Sequence, residues 1–306
     1  MTDHGSCSLD DLVASFVRHQ QRTRGTGAHT LHRLTIDVRE FLHTALGDDP
    51  IDPARLCASH VIEFISARAA RYRPRTVKET ATSLRWLFRF LRIEGLHDGQ
   101  LDKVVPTVAN WRLSTIPRGL EERDLPRLLE SLDGSTACAL RDRAIIVLLS
   151  SLGLRAGELA NLQLEDIDWR AGTVLIRKRK NGRAALLPLN RSAGEAIVAY
   201  LQTGRPKTAD RHVFVIHGGH VGMAIRGELV AGVVRKAYFR AGIVAPSFGA
   251  HSLRHLLASR MVCHGARLDE IANVLGHQSL ETTAVYAKVD LPRLREVSLP
   301  WPEVQP

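Results

Sequence analysis

Cysteine is scarce in this sequence. Cys7, Cys57, Cys138 and Cys263 are spread along the chain with no CxxC pair. That spacing excludes a disulfide framework and an ordinary zinc site, and it fits reduced thiols in a cytoplasmic protein. Long apolar runs are also missing. No stretch of about 20 apolar residues occurs, and no basic start is followed by an apolar run, so neither a membrane span nor a secretory leader is expected. No GxxxxGK[ST] loop is present, which removes the usual basis for ATP-driven chemistry. No acidic cluster suits two Mg²⁺ ions. His251 and His255 are four apart, but Ser252 stands where a zincin needs Glu. The spacing of Cys263, His264 and His277 matches no zinc signature. No cofactor and no metal are therefore expected.

Acidic residues are the other deficit. Asp and Glu number 32 against 42 Lys and Arg, a net charge of +10. Such a balance favours a polyanionic partner without naming one. The 306 residues are enough for two domains with their own cores, and 44% hydrophobic with 24% charged residues is ordinary for a globular protein.

Residues 8 to about 96 read as four helices. Ser8 and Asp11 resemble a capping box ahead of Leu12, Phe16 and Val17. Helical spacing recurs over Thr30 to Leu46 and over Cys57 to Ala70. Thr76 and Glu79 form a second capping-box pattern, followed by the stripe Val77, Ala81, Leu84, Phe88 and Leu91. Around this fourth helix runs a single-sign series: Arg68, Arg71, Arg73, Arg75, Lys78, Arg85, Arg89 and Arg92. It is either a solvated face or a row of phosphate contacts along a duplex, with Arg73, Arg75, Lys78 and Arg85 the candidate DNA-binding residues.

Residues 98–118 show no amphipathic period and contain two prolines, so they read as a linker between residues 1–97 and 119–306. Beyond it, Leu125, Leu128, Leu129 and Leu132 mark one helix and Ala139 to Leu152 a strongly apolar, buried one. Gly153 is placed to cap it. Arg155 follows, either paired with Glu158 three residues on or presented to a ligand. Asp166 to Trp169, Thr173 to Arg179 and Arg183 to Leu189 read as strands, with Asn181-Gly182 a hairpin turn. Lys178 and Lys180 share one face of that hairpin. A helix over Ser192 to Leu201, a short strand over Val213 to Ile216 and a helix over Leu229 to Arg240 complete this part.

The densest chemistry lies in His251 to Tyr286. Helices are expected over Leu253 to Met261 and Leu268 to Leu275, with Gly276 ending the second. His251 and Arg254 are three apart and share a helix face. Arg is always charged and offers a planar fork of donors to phosphate. His can donate to an oxyanion or move a proton near neutral pH. Tyr, with a reference pKa of about 10, needs nearby cations or a base to act as a nucleophile. Together they suggest phosphoryl transfer through a covalent phosphotyrosine.

The ordered set resembles the tyrosine recombinase (phage integrase-like) family, and is most similar to its Xer and transposon-type members. The matching pieces are LGLRAGEL (152–159), the hairpin lysine ahead of LLPL (186–189), HSLRH (251–255) and LGHQSLETTAVY (275–286). The resemblance spans essentially the whole chain. It implies a mainly α protein with a small antiparallel β-sheet: an N-terminal helical, SAM-like core-binding domain and a C-terminal α+β catalytic domain. It implies a site-specific recombinase that cleaves and rejoins DNA through a 3′-phosphotyrosyl link, without metal or ATP. Arg155 and Arg254 would grip the scissile phosphate with His277, Glu158 would support Arg155, and His251 would serve proton transfer near the phenol. Tyr286 would attack. Lys180, eight residues before Pro188, would protonate the leaving oxygen, with Lys178 as the fallback. The partners implied are double-stranded DNA and, on it, four protomers or a mixture with partner recombinases. The tail Ala287 to Pro306 would dock on a neighbouring protomer. A type IB topoisomerase-like enzyme and a non-catalytic DNA-binding regulator of the same fold stand as alternatives.

Overall fold

The computed structural model describes residues 8–47, 50–107, 120–177, 184–245, 248–277 and 280–286. Cys7, the hairpin tip with Lys178, Lys180 and Asn181-Gly182, and the tail 287–306 lie outside them. The chain divides into two compact units, Met1–Trp111 and Arg112–Pro306.

The first unit is helical: α1 (Leu9–Arg24), α2 (Ala28–Leu46), α3 (Ala58–Arg71), α4 (Pro74–Ile93) and a single turn, α5 (Leu101–Val104). Ser8 caps α1, its Oγ accepting from the Asp10 amide at 3.2 Å. The capping box expected at Thr76 does not form. Helix α4 starts three residues earlier, with Arg73 in place of Thr76 as N-cap, because Pro74 suits the first helical position, where its fixed φ helps and its missing N–H costs nothing. Glu79 instead binds the guanidiniums of Arg33 and Arg75. Phe16, Phe41, Phe64, Phe88 and Phe90 anchor the core. Inside it, buried Asp37 accepts from Thr80 Oγ1 at 3.2 Å and Ser83 Oγ at 2.8 Å, and Arg68 closes the group from α3 at 3.5 Å.

The start of the expected linker is part of this unit. Helix α5 packs on α3 and α4, and Leu101 and Val105 enter the core. Asp102 accepts from Arg89 Nε at 3.2 Å and Arg92 Nη1 at 3.1 Å. Arg85 Nη2 donates to the carbonyls of Val105 at 3.1 Å and Pro106 at 2.9 Å. Four residues at one turn are too few to register as an amphipathic period, so periodicity alone could not find α5.

The second unit holds α6 (Leu125–Glu130), α7 (Ala137–Leu152), α8 (Ala156–Ala160), α9 (Arg191–Ala199), α10 (Gly227–Arg240), α11 (Ala250–Cys263), α12 (Leu268–Leu275) and α13 (Leu280–Ala284). Helix α7 is its centre. Residues Ala144 through Leu149 are all buried, and α8, α9, α10 and α11 pack around it. A three-stranded antiparallel sheet, β1 (Ile167–Asp168), β2 (Thr173–Ile176) and β3 (Ala185–Pro188), lies in sequence order with Val174 opposite Leu187. The expected strand at Val213–Ile216 is absent from the sheet. Val213, Phe214 and Val215 are fully buried, but pairing there is limited to an isolated Val215–Ala224 bridge. An apolar run reports burial, not ladder pairing. Helix α11 begins at Ala250, ahead of the expected Leu253, which puts His251 in its first turn. Among the described residues no helix is long and apolar enough to cross a membrane.

Candidate active site

Arg155 follows the αL cap that ends α7 and is the N-cap of α8. Its pairing with Glu158 is real. Buried Glu158 accepts from the Arg155 amide at 2.9 Å and from its Nη1 at 2.6 Å. The pair is not the whole story, because Nη2 of Arg155 reaches the Gly276 carbonyl at 3.3 Å, across 121 residues of sequence. The carboxylate orients a guanidinium that is still 27% exposed.

Arg254, on α11, is 2% exposed. Its Nη1 donates to the Gly153 carbonyl at 2.5 Å and its Nη2 to the Leu275 carbonyl. Gly153 has φ +62°, and a Cβ there would lie 2.8 Å from side-chain carbons of both Leu257 and Leu275. Only glycine lets the α7 turn come this close. The two arginines therefore end on adjacent carbonyls, Leu275 and Gly276, at the negative end of α12.

Gly276 caps α12 in the αL conformation, and the next amide, His277, bonds back to the Ala272 carbonyl at 2.9 Å. His277 Nδ1 lies 2.7 Å from Oγ1 of buried Thr283 on α13. Burial, then the charges of Arg254 and Arg155, hold its pKa down to about 4. The imidazole is therefore neutral at neutral pH in the substrate-free site, poised beside two cations that an incoming phosphate would offset.

Tyr286 closes the site. It is 1% exposed and packs with Ala258, Val262, Ile271 and Leu275 in a small core of its own. Burial pushes its phenol up to about 12, with Arg254 pulling the other way. Its Oη lies 2.5 Å from Nδ1 of His255. HSLRH directs attention to His251, yet the phenol's hydrogen-bond partner is the second histidine of that motif. His251, exposed at the start of α11, packs edge-on against His255 with ring centroids 4.4 Å apart. His255 and Thr283 are two hydrogen-bond neighbours of Tyr286 and His277 to which the motifs gave no role. Each sits one helical turn or less from a residue that was named. Lys180 and Lys178 lie outside the described residues.

The match to a family model decides what this arrangement belongs to. Residues 118–292, more than half of the chain, match the model described as the phage integrase family. The chain belongs to that family. It is 40% identical over 300 residues to the integrase/recombinase-like protein y4rA of Sinorhizobium fredii, covering 98% of this chain and 73% of that one. It is 29% identical to the tyrosine recombinase XerD of Listeria monocytogenes over 94% of this chain and 97% of the relative. Among solved structures, the XerH site-specific recombinase bound to a palindromic difH substrate aligns with a TM-score of 0.74, covering 95% of this chain and 96% of that one at 18% identity, which is a likeness of fold.

Within this family member, the other tyrosines have different surroundings from Tyr286. Tyr200 and Tyr238 are fully buried, bonded to His217 and Ser252 respectively. Tyr72 lies under the guanidiniums of Arg68 and Arg71 in the first unit. The basic series divides as well. Arg68 is buried against Asp37 and Glu40, while Arg85, Arg89 and Arg92 are tied to residues 102–106. Arg73, Arg75 and Lys78 are exposed at the start of α4. Cys57, Cys138 and Cys263 are free thiols at the surface.

Proposed function

We propose that this chain is a site-specific DNA recombinase that cuts and rejoins strands through a 3′-phosphotyrosyl intermediate. The observation that carries it is the convergence of Arg155, Arg254, His277 and Tyr286, drawn from separate elements, around the C-terminal turn of α12. In this reading Arg155 and Arg254 turn their guanidiniums to the non-bridging oxygens of one phosphodiester, and His277 adds a donor. Charge growing in the pentacoordinate transition state is thereby met by fixed cations, which take the part a metal plays elsewhere. Glu158 orients Arg155. Tyr286 attacks phosphorus, and Lys180 gives a proton to the departing 5′-oxygen, with His251 completing the proton path near the phenol. The protein–DNA bond stores the phosphodiester energy, so resealing needs neither ATP nor metal.

The first unit, residues 1–97 with the segment that follows, grips duplex DNA, and Arg73, Arg75 and Lys78 supply phosphate contacts at the start of α4, where helix amides add to the attraction. Residues 98–118 join it to the catalytic unit. Exchange between two duplexes calls for four protomers, alike or mixed. XerD and XerH, named as recombinases, favour this over monomeric strand relaxation, and the intact residue set argues against a regulator without catalysis.

Trapping tests it. Wild type and Tyr286→Phe are incubated, without metal, with a nicked duplex taken from the gene's flanking DNA. An SDS-resistant adduct from the wild type alone, with salt-sensitive binding by both, is the expected result. An adduct that persists in Tyr286→Phe would rule out this nucleophile.

A further inference from the structure

A phenol that attacks phosphorus must lose a proton, and Tyr286 is buried where bulk water cannot take it. Within hydrogen-bond reach of its Oη is Nδ1 of His255, at 2.5 Å. With the phenol protonated, its O–H donates and the imidazole lone pair at Nδ1 accepts, which leaves the ring proton on Nε2. The ring is held from two sides: Tyr286 at a centroid distance of 5.4 Å and His251, edge-on, at 4.4 Å. It follows Arg254 directly on α11, so the helix that positions one arginine of the phosphate clamp also positions this imidazole.

We propose that His255 is a catalytic residue of this enzyme, its Nδ1 receiving the phenolic proton as Tyr286 attacks and returning it when the strand is rejoined. This rests on Tyr286 being the nucleophile. In the step, the Oη–H bond of Tyr286 breaks and its proton passes to Nδ1 as the Oη–P bond forms. The P–O5′ bond breaks, and the 5′-oxygen takes its proton from Lys180. Religation reverses both transfers, so protons and charge balance over a cycle.

The surroundings suit the task. Burial, then His251 and Arg254, hold the His255 pKa down to about 4, so the substrate-free ring is neutral and its lone pair available. The groups facing it are His251 and Arg254 from its own helix and Tyr286 from beyond α13, and it in turn depresses His277. A phosphodiester seated between Arg155 and Arg254 offsets part of this positive field. The imidazole therefore gains basicity when the proton has to move. His251 is left as the outer neighbour of the pair, exposed to solvent, where it can exchange protons with water.

The test is single-turnover cleavage of the nicked duplex by wild type, Tyr286→Phe, His255→Asn and His255→Ala, with DNA binding and thermal melting measured alongside. Asparagine keeps an acceptor near Nδ1 but cannot take a proton. His255→Asn should bind DNA as the wild type does and cleave about 10²–10⁴-fold more slowly. Its rate should rise with pH where the wild-type rate is flat. His255→Ala should recover with added imidazole, in proportion to the neutral form of the imidazole. A purely structural role predicts neither response. Cleavage by His255→Asn within about threefold of wild type, with the same pH profile, overturns the proposal. If His255→Asn does not melt cooperatively, the imidazole response of His255→Ala decides, and its absence overturns the proposal too. No adduct from wild type on DNA that it binds, or an adduct from Tyr286→Phe, overturns the nucleophile first and the role of His255 with it.

Discussion

Arg155 and Arg254 are tied to each other through consecutive carbonyls: Arg155 holds Gly276 and Arg254 holds Leu275. What they share is one turn of backbone. That turn places both guanidiniums, and the amide of His277 follows directly from it.

Removing Arg254 should therefore harm both stability and chemistry. Arg254→Ala leaves the carbonyls of Gly153 and Leu275 without this donor, at roughly 1–3 kcal/mol each if water does not replace it. Loss of one preorganised cation at the phosphate should slow cleavage by about 10²–10³-fold. Urea melts and adduct formation on the nicked duplex, measured together with Arg254→Lys, separate the two effects. Lysine can restore charge but not the two-pronged reach.

Gly153→Ala is a sharper probe of the same geometry. The αL backbone costs a non-glycine residue about 1–2 kcal/mol, and the added methyl collides with Leu257 and Leu275 at 2.8 Å. The melting temperature should fall, and cleavage should fall with it, although position 153 offers no side chain to the substrate. Unchanged cleavage by a destabilised variant would mean that the Gly153 carbonyl does not set the position of Arg254.

Acid should weaken the second unit in a defined window. His255 and His277 titrate near 4 in the folded chain against an ordinary value near 6.5. Between those values the unfolded chain binds more protons, so stability falls as pH drops from about 6.5 towards 4 and is fully present above that range. The effect is on the order of 2 kcal/mol for His255 and less for the more exposed, solvent-screened His277. Urea midpoints between pH 7.5 and 5 should drop less in His255→Asn than in wild type. Equal slopes would count against burial as the cause.

The basic residues of the first unit should split by role. Lys78→Ala should lower the salt dependence of DNA binding by about one unit of slope. Arg85→Ala should leave the slope unchanged and cost about 1 kcal/mol, because its guanidinium is committed to the Val105 and Pro106 carbonyls. Salt titrations of binding, set beside thermal melts of the same proteins, read both.

Much of this was legible in the sequence, and the exceptions have physical causes. Arg254, His277 and Tyr286 stood out as polar groups punctuating apolar helices, and Arg155 and Glu158 joined them through the resemblance of LGLRAGEL, HSLRH and LGHQSLETTAVY to the tyrosine recombinase family. Gly153 and Gly276 announced themselves as caps. His255 did not, because which of two histidines four residues apart meets the phenol depends on where α11 starts and on how α13 returns, both tertiary facts. Arg85, Arg89 and Arg92 looked like one more stretch of basic surface. Their partners, Asp102 and two carbonyls, lie on a turn too short to have a period. Val213 to Ile216 carried a strand's composition into a buried loop, since hydrophobicity records burial whatever the backbone does.

The turn at Leu275–Gly276 also has a bearing on when the enzyme can become dangerous to DNA. Gly153 and Arg254 are 101 residues apart, and Arg155 and Gly276 are 121 apart. A chain unravelled at its C-terminal helices keeps the local Arg155–Glu158 pair but loses the Gly276 carbonyl and, with it, the register between Arg155 and Arg254. Such a chain can retain its basic charge and its affinity for nucleic acid, but the means to cut appear only when the last helices have docked. Nicking competence is thereby made conditional on the docking of those helices, and a protomer that has lost them is silent instead of promiscuous.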